Sequence, residues 1–295
     1  MTKCGRNGVD SFDYSPTTIR ESVRRSLERL KTDYLDTVYL HDVEFVCTPI
    51  AARLTGNHIG AIREEAVSYG LAEGNEGKVR GEGDQKVLDA LAELRDLQRE
   101  GLIKNVGITG NHQLSIYNLY LYLCFLGFPL PTLLRLAILI LHTPPYKPLD
   151  VLLSYSHLCL QNSTFLEFIP HFYKRAKVGQ LVAASPMSMG LLTSNPPPWH
   201  PAPPRLREAV VDASDKWVGG LPDLAVGYSI RHTISAEEPL PLVVGFSSPW
   251  EVHECVKVWR DVLAGHQNDE REKGEEQARE VFRQAEFLDW SWASP

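Results

Sequence analysis

The chain has 295 residues, 43% of them hydrophobic and 23% charged, which is enough apolar material for a sizeable core. Its net charge of −7 argues against nucleic acid or an anionic membrane as the main partner, since either calls for a basic surface. A small neutral substrate is easier to accommodate. The five cysteines, Cys4, Cys47, Cys124, Cys159 and Cys255, form no CxxC pair and no ligand cluster, so no metal centre is expected. With no apolar leader-like run at the N-terminus, they point to reduced thiols in a cytoplasmic protein.

Ser15-Pro16 reads as an N-cap followed by proline at the first helical position, and Ile19, Val23, Leu27 and Leu30 recur at helical spacing, which predicts a helix ending near Lys31. Leu35–Leu40 is a short run of strand formers closed by His41-Asp42. The stretch 55–83 carries seven glycines without a sustained period and predicts a long surface loop. Leu88, Leu91, Leu94 and Leu97 mark a helix stopping at Gly101, and Ile103–Ile108 a further strand.

From Leu119 to Leu141 the chain nears membrane-like hydrophobicity, but Pro129, Pro131 and Arg135 interrupt it before about 18 clean apolar residues accumulate, so no membrane span is expected. The alternation then resumes. Strands are predicted at Val151–Tyr155, Leu181–Ala184 and Leu242–Gly245. Helices are predicted at Phe165–Lys177, Arg205–Trp217, Asp223–His232 and Trp250–Leu263, with a solvated helix over Asn268–Arg283. Repeated βα units imply one α/β domain with a parallel sheet under helices. Five strands are clear and Met1–Lys3 reads as the stub of a sixth, whereas a closed barrel of this kind needs about eight.

In parallel α/β barrels functional side chains gather at the carboxyl ends of strands, where the loops meet over the mouth. His41 stands directly after one strand and Lys3 after the stub. By position alone, a rim histidine and a solvated terminal lysine are the plainer readings. Their surroundings are more specific: Thr2-Lys3, then Phe12-Asp13-Tyr14-Ser15, the helix Ile19–Leu30, and Thr32-Asp-Tyr-Leu-Asp-Thr-Val-Tyr-Leu-His41 resemble the third-to-fourth-strand region of aldo-keto reductases. The resemblance implies a (β/α)8 TIM barrel that transfers hydride between a nicotinamide dinucleotide and a carbonyl or alcohol. It also implies a catalytic tetrad of Asp, Tyr, Lys and His, and Lys3 and His41 match its last two members. A lysine ammonium beside a phenol favours the phenolate and so eases proton exchange by tyrosine near neutral pH.

On this resemblance the Asp and Tyr belong to the first two βα units, which would precede Met1, and the barrel is expected to be incomplete. Tyr14 follows the lysine instead of preceding it, and Tyr39 is read as alternating away from the His41 end of its strand, so neither is assigned the missing role. Leu91–Gly110 resembles the following helix and strand, with Thr109 and Gly110 placed against the nicotinamide carboxamide. Asp150–His157 resembles the sixth strand of the L-galactose and D-arabinose dehydrogenase branch, with Ser154 near the carboxamide-binding position. Ala183–Leu192 resembles the seventh strand and its loop, which makes Ser185, Met187 and Met189 candidate cofactor contacts, core filling being the other reading of the methionines. Val243–Cys255 resembles the segment that holds the adenosine end, through Gly245, Ser247, Glu251 and Glu254. An acidic Glu251 repels a 2′-phosphate, so NAD is expected ahead of NADP.

The match is interrupted by residues 111–127, which lack Lys, Arg, Asp and Glu; a retained intron and a genuine apolar lid are the two readings. Two functions remain open at this point. One is an NAD-dependent oxidation of an aldose, of L-galactose or D-arabinose type, to its lactone. The other is a catalytically impaired fragment or pseudoenzyme that keeps only binding or structural roles.

Overall fold

The computed structural model describes residues 1–8, 11–50, 53, 55–110 and 129–292; the segment 111–127 therefore lies outside the described residues. Six strands form one sheet in chain order: β1 (Thr2–Cys4), β2 (Leu35–Leu40), β3 (Ile103–Gly110), β4 (Val151–Tyr155), β5 (Gln180–Ala184) and β6 (Leu242–Val243). Every neighbouring pair is parallel. Helices α1 (Pro16–Leu30), α2 (Glu82–Arg99), α3 (Pro129–Leu141), α4 (Phe165–Lys174) and α6 (Leu221–Ile234) fall between successive strands, joined by α5 (Pro204–Ser214) before α6. After β6 come α7 (Pro249–Leu263) and α8 (Asn268–Gln284).

The period-two alternation of a strand sorts its side chains to two faces, and here both faces are apolar. Cys4, Val38, Leu40, Val106, Ile108, Leu152, Leu181 and Ala183 pack outward with Ile19, Val23, Leu91, Leu94, Phe165 and Phe168 from the helices. Tyr39, Leu153, Val182 and Ala184 point the other way and pack against one another, with Val151, Tyr155 and Val243 at their margin. A sheet whose inner side chains fill their own interior is curled, as in a barrel wall. Gly107 makes that interior possible: a Cβ there would lie 2.4 Å from the Val151 carbonyl oxygen and 2.8 Å from the Tyr39 ring. Among the described residues no pairing joins β6 to β1.

The terminal stub is a real strand, Thr2–Cys4, because its edge pairs with Val38–Leu40. Ser15 caps α1 by accepting the Thr18 amide at 3.4 Å, with Pro16 at the first turn. The helix expected to reach Lys177 ends at Lys174, and Lys177 takes φ 53° to turn into β5. The glycine-rich stretch is less irregular than its composition suggests. It holds 3₁₀ turns at Ile59–Ile62 and Ala66–Tyr69, and its last residues already belong to α2. Gly83 is required there, since a Cβ would sit 2.3 Å from the Val46 carbonyl oxygen. Arg135, which interrupts the apolar run, lies buried in α3 against Asp84 at 2.8 Å, and among the described residues no helix is long and apolar enough to cross a membrane.

Candidate active site

The carboxyl ends of β1, β2 and β3 bring Lys3, His41, Asp42 and Thr109 together. Lys3 pairs with Tyr39 in the strand register, so its side chain shares the inner face with Tyr39 and with His41 two residues on. Lys3 Nζ lies 3.3 Å from His41 Nε2. The histidine backbone is fixed from two sides: its amide donates to the Cys4 carbonyl at 3.0 Å and its carbonyl accepts the Tyr14 hydroxyl at 2.7 Å.

Asp42 is fully buried at φ 57°, a left-handed conformation that aspartate tolerates better than most residues. Its Oδ2 meets Arg6 Nη1 at 3.1 Å and lies 3.4 Å from His41 Nε2. The Thr109 hydroxyl closes the group, accepting the Asp42 amide at 3.3 Å and donating to Oδ1 at 3.4 Å. Arg6 and Asp42 were not foreseen in the sequence. The one available signal was an acid directly after the strand-end histidine.

The electrostatics follow from this packing. Loss of water around the His41 imidazole, with the Lys3 and Arg6 charges beside it, lowers its pKa from 6.5 to about 3, so the ring is neutral at pH 7. Lys3 keeps its side chain open to solvent, yet the protein around its head desolvates the ammonium and lowers its pKa, against an opposing pull from Asp42. Tyr14 is buried, and desolvation holds its phenol well above the ordinary value. Tyr39 was expected to alternate away from the His41 end. It shares the His41 face, because positions two apart lie on one side of a strand, but its ring is packed in the inner layer and desolvation raises it to about 12.

The expected cofactor residues separate into groups. Thr109 faces the Lys3–His41 side, but its hydroxyl is engaged by Asp42. Gly110 and Ser154 are register partners in phase with the outward-facing Ile108 and Leu152, and the Ser154 hydroxyl lies 3.4 Å from His157 Nδ1. The inner-face neighbours of Ser154 are Leu153 and Tyr155. Ser185, at φ 61° just past β5, accepts the Met189 amide at 2.9 Å. Met189 is buried with Leu191, Leu192 and Leu206, and Met187 packs beside Val226, Ile230 and Val258, as core side chains do.

Gly245, Ser247 and Glu251 gather at the start of α7. Open space surrounds the position a Gly245 Cβ would take, and Phe246, Ser247, Ser248, Pro249, Val252 and His253 line an adjoining concavity. Glu251 accepts from the Ser247 amide at 2.6 Å and its hydroxyl at 2.7 Å, and these bonds lower its pKa. Glu254 lies half-buried one turn further along α7.

A parallel βα sheet curled around its own side chains, with a lysine and a histidine converging at the carboxyl ends of adjacent strands, is a barrel-type α/β scaffold with a polar cluster at its mouth. The chain belongs to the aldo/keto reductase family, whose pattern it matches over residues 1–273. It is 32% identical over 259 residues to L-galactose dehydrogenase of Arabidopsis thaliana, an overlap of 86% of this chain and 61% of that protein. It is 33% identical over 256 residues to D-arabinose 1-dehydrogenase of Saccharomyces cerevisiae, covering 85% of this chain and 60% of that one. The chain thus spans about three fifths of the length of these relatives.

Among solved structures, an aldo-keto reductase from Bacillus halodurans in its holo form superposes with a TM-score of 0.50 at 17% identity, covering 90% of this chain and 68% of that one. A glycerol dehydrogenase from Gluconobacter oxydans gives 0.51 at 15% identity, with 94% and 67% covered. These two likenesses establish the aldo-keto reductase fold.

Proposed function

We propose that the chain carries part of a nicotinamide-dependent dehydrogenase that oxidises the anomeric carbon of an aldose, of L-galactose or D-arabinose type, to a lactone in the cytoplasm. The observation that carries this reading is the 3.3 Å approach of Lys3 Nζ to His41 Nε2 at adjacent strand ends on the inner face. A bound nicotinamide supplies the hydride acceptor. His41, neutral and held by its backbone, presents a ring nitrogen to the substrate hydroxyl. The Lys3 ammonium stabilises a phenolate and so lets a tyrosine exchange a proton near neutral pH.

Neither neighbouring phenol suits that role, because Tyr14 is bonded to the His41 carbonyl and Tyr39 is packed in the inner layer. The reading therefore takes the working unit to be an eight-stranded barrel that brings an Asp and a Tyr on two further βα units. Two features support it. The outer edges of β1 and β6 are unpaired among the described residues. On α7, Val252, Val256, Trp259 and Leu263 form an exposed apolar stripe of the kind a neighbouring barrel helix covers.

The residues at the α7 start fit the adenosine end of the cofactor, given the open Gly245 and the concavity beside it. Glu251 favours NAD, since its carboxylate repels a 2′-phosphate. NADH fluorescence titration and sugar oxidation test the proposal. The 295-residue chain is expected to bind NADH more tightly than NADPH, and Glu251→Lys to narrow that preference. Turnover on the order of 1 per second by this chain alone would overturn the requirement for a further tyrosine. No NADH binding and no oxidation, even with the two further βα units added, would overturn the dehydrogenase reading.

A further inference from the structure

The stretch between β2 and α2 runs beside α3 and α4 as far as their C-terminal ends. Arg175, just past α4, donates to the Leu71 carbonyl at 2.6 Å. Gly77 comes so near His142, just past α3, that a Cβ there would lie 3.1 Å from its carbonyl oxygen. In the crevice between these contacts, Lys78, Arg80, Arg135 and Arg175 line one cavity. Gly70, at φ 70°, brings two of them together, since the point its Cβ would occupy lies 3.1 Å from Arg135 Cδ and 3.2 Å from Arg80 Nη2. Arg135 is balanced by Asp84. For the other three cations the lining offers one carboxylate, Glu76, whose Oε1 accepts the Gly74 amide at 3.1 Å. Like charges gathered over the apolar side chains of Ile138 and Leu139 repel one another unless an anion stands among them.

We infer that this crevice is a halide site with chloride as its occupant, drawn in by Lys78, Arg80 and Arg175. The cavity volume, about 10 Å³, is room for one water-sized particle. A phosphate, sulfate or carboxylate group is too large for it, whereas a monatomic anion fits. Guanidinium and ammonium groups offer such an ion N–H donors and no competing acceptor. Bound there, chloride ties the 70–80 stretch to α3 and to the end of α4, and it offsets the repulsion among the cations. No residue of the Lys3–His41 mouth or of the α7 start lines this cavity, so the inference stands apart from the dehydrogenase reading.

The test follows the line width of the chloride NMR signal in solutions of the intact chain, which grows when the ion exchanges with a protein site. Excess broadening is expected, and bromide at equal concentration should remove it by taking the site. Sulfate at equal ionic strength should leave most of it in place. Arg80→Gln removes one guanidinium but keeps the backbone amide that donates to Asp84 at 3.0 Å, so the broadening should be lost in that variant. Arg24→Gln, on the exposed face of α1, should retain it. No excess broadening by the intact chain, displacement by sulfate as complete as by bromide, or undiminished broadening in a folded Arg80→Gln variant would overturn the inference. The bromide and sulfate competition on the intact chain is decisive even where the variant fails to fold.

Discussion

Tyr14 donates its hydroxyl to the carbonyl oxygen of His41 at 2.7 Å, so a ring from the loop after β1 holds the backbone of a residue at the end of β2. Gly5 lets the ring reach that place, since a Cβ there would lie 2.5 Å from it. Tyr14→Phe keeps the packing but strips the part-buried carbonyl of its donor, at an expected cost of about 1–3 kcal/mol. The midpoint of urea unfolding measures it. An unchanged midpoint would mean that water replaces the phenol.

Arg135 and Asp84 form a buried two-pronged ion pair, 2.8 and 3.0 Å, in which Asp84 also accepts the Thr48 and Arg80 amides. Removing the arginine leaves a carboxylate uncompensated inside the protein. Arg135→Met should therefore destabilise the fold by about 3–5 kcal/mol, and Arg135→Met with Asp84→Asn by less than the sum of the two single changes. A double-mutant cycle by denaturant unfolding checks the sign of that coupling.

Gly107→Ala should be among the most damaging small substitutions, because its Cβ meets backbone as well as the Tyr39 ring. A cost of about 1–3 kcal/mol or more is expected from overpacking. Tyr39→Leu relieves the contact with the ring but not the one with the Val151 carbonyl, so the double variant should recover only part of the loss. Full recovery, read from thermal unfolding, would show that the strands separate more easily than the register implies.

Acid should weaken the fold through histidines held neutral. Desolvation lowers His41 and His58 from 6.5 to about 3, and His157, His200 and His232 to about 4. Below pH 6.5 the unfolded chain binds protons that the folded one refuses, so stability is full above that pH and falls as pH drops toward 4. The slope is at most about 1.4 kcal/mol per pH unit for each group. His157→Gln should flatten the decline in melting temperature between pH 6.5 and 4, and an unaltered slope would exclude His157 from it.

The βα alternation was legible because apolar period and turn chemistry are local, and the proximity of Lys3 and His41 could be anticipated because both stand near the carboxyl ends of neighbouring strands, Lys3 within β1 and His41 directly after β2. Ser154 falls in phase with the outward-facing Leu152, and no local pattern distinguishes the two faces of a strand when both are apolar. Asp42 was passed over because its surroundings depend on Arg6, from the loop after β1, and Thr109, from β3, neither of them near it in sequence. Arg135 looked like an interruption of an apolar run until its partner, distant in sequence, arrived beside it. The inner-layer place of Tyr39 needed only the count of two between it and His41.

At the head of α7, Glu251 already occupies the amide and hydroxyl of Ser247. An external phosphate arriving at this helix end therefore meets an incumbent anion, and its binding is an exchange of one anion for another. Such a ligand gains as acid protonates the incumbent, so affinity for a phosphate-bearing cofactor should rise toward low pH even while the histidines make the fold less stable.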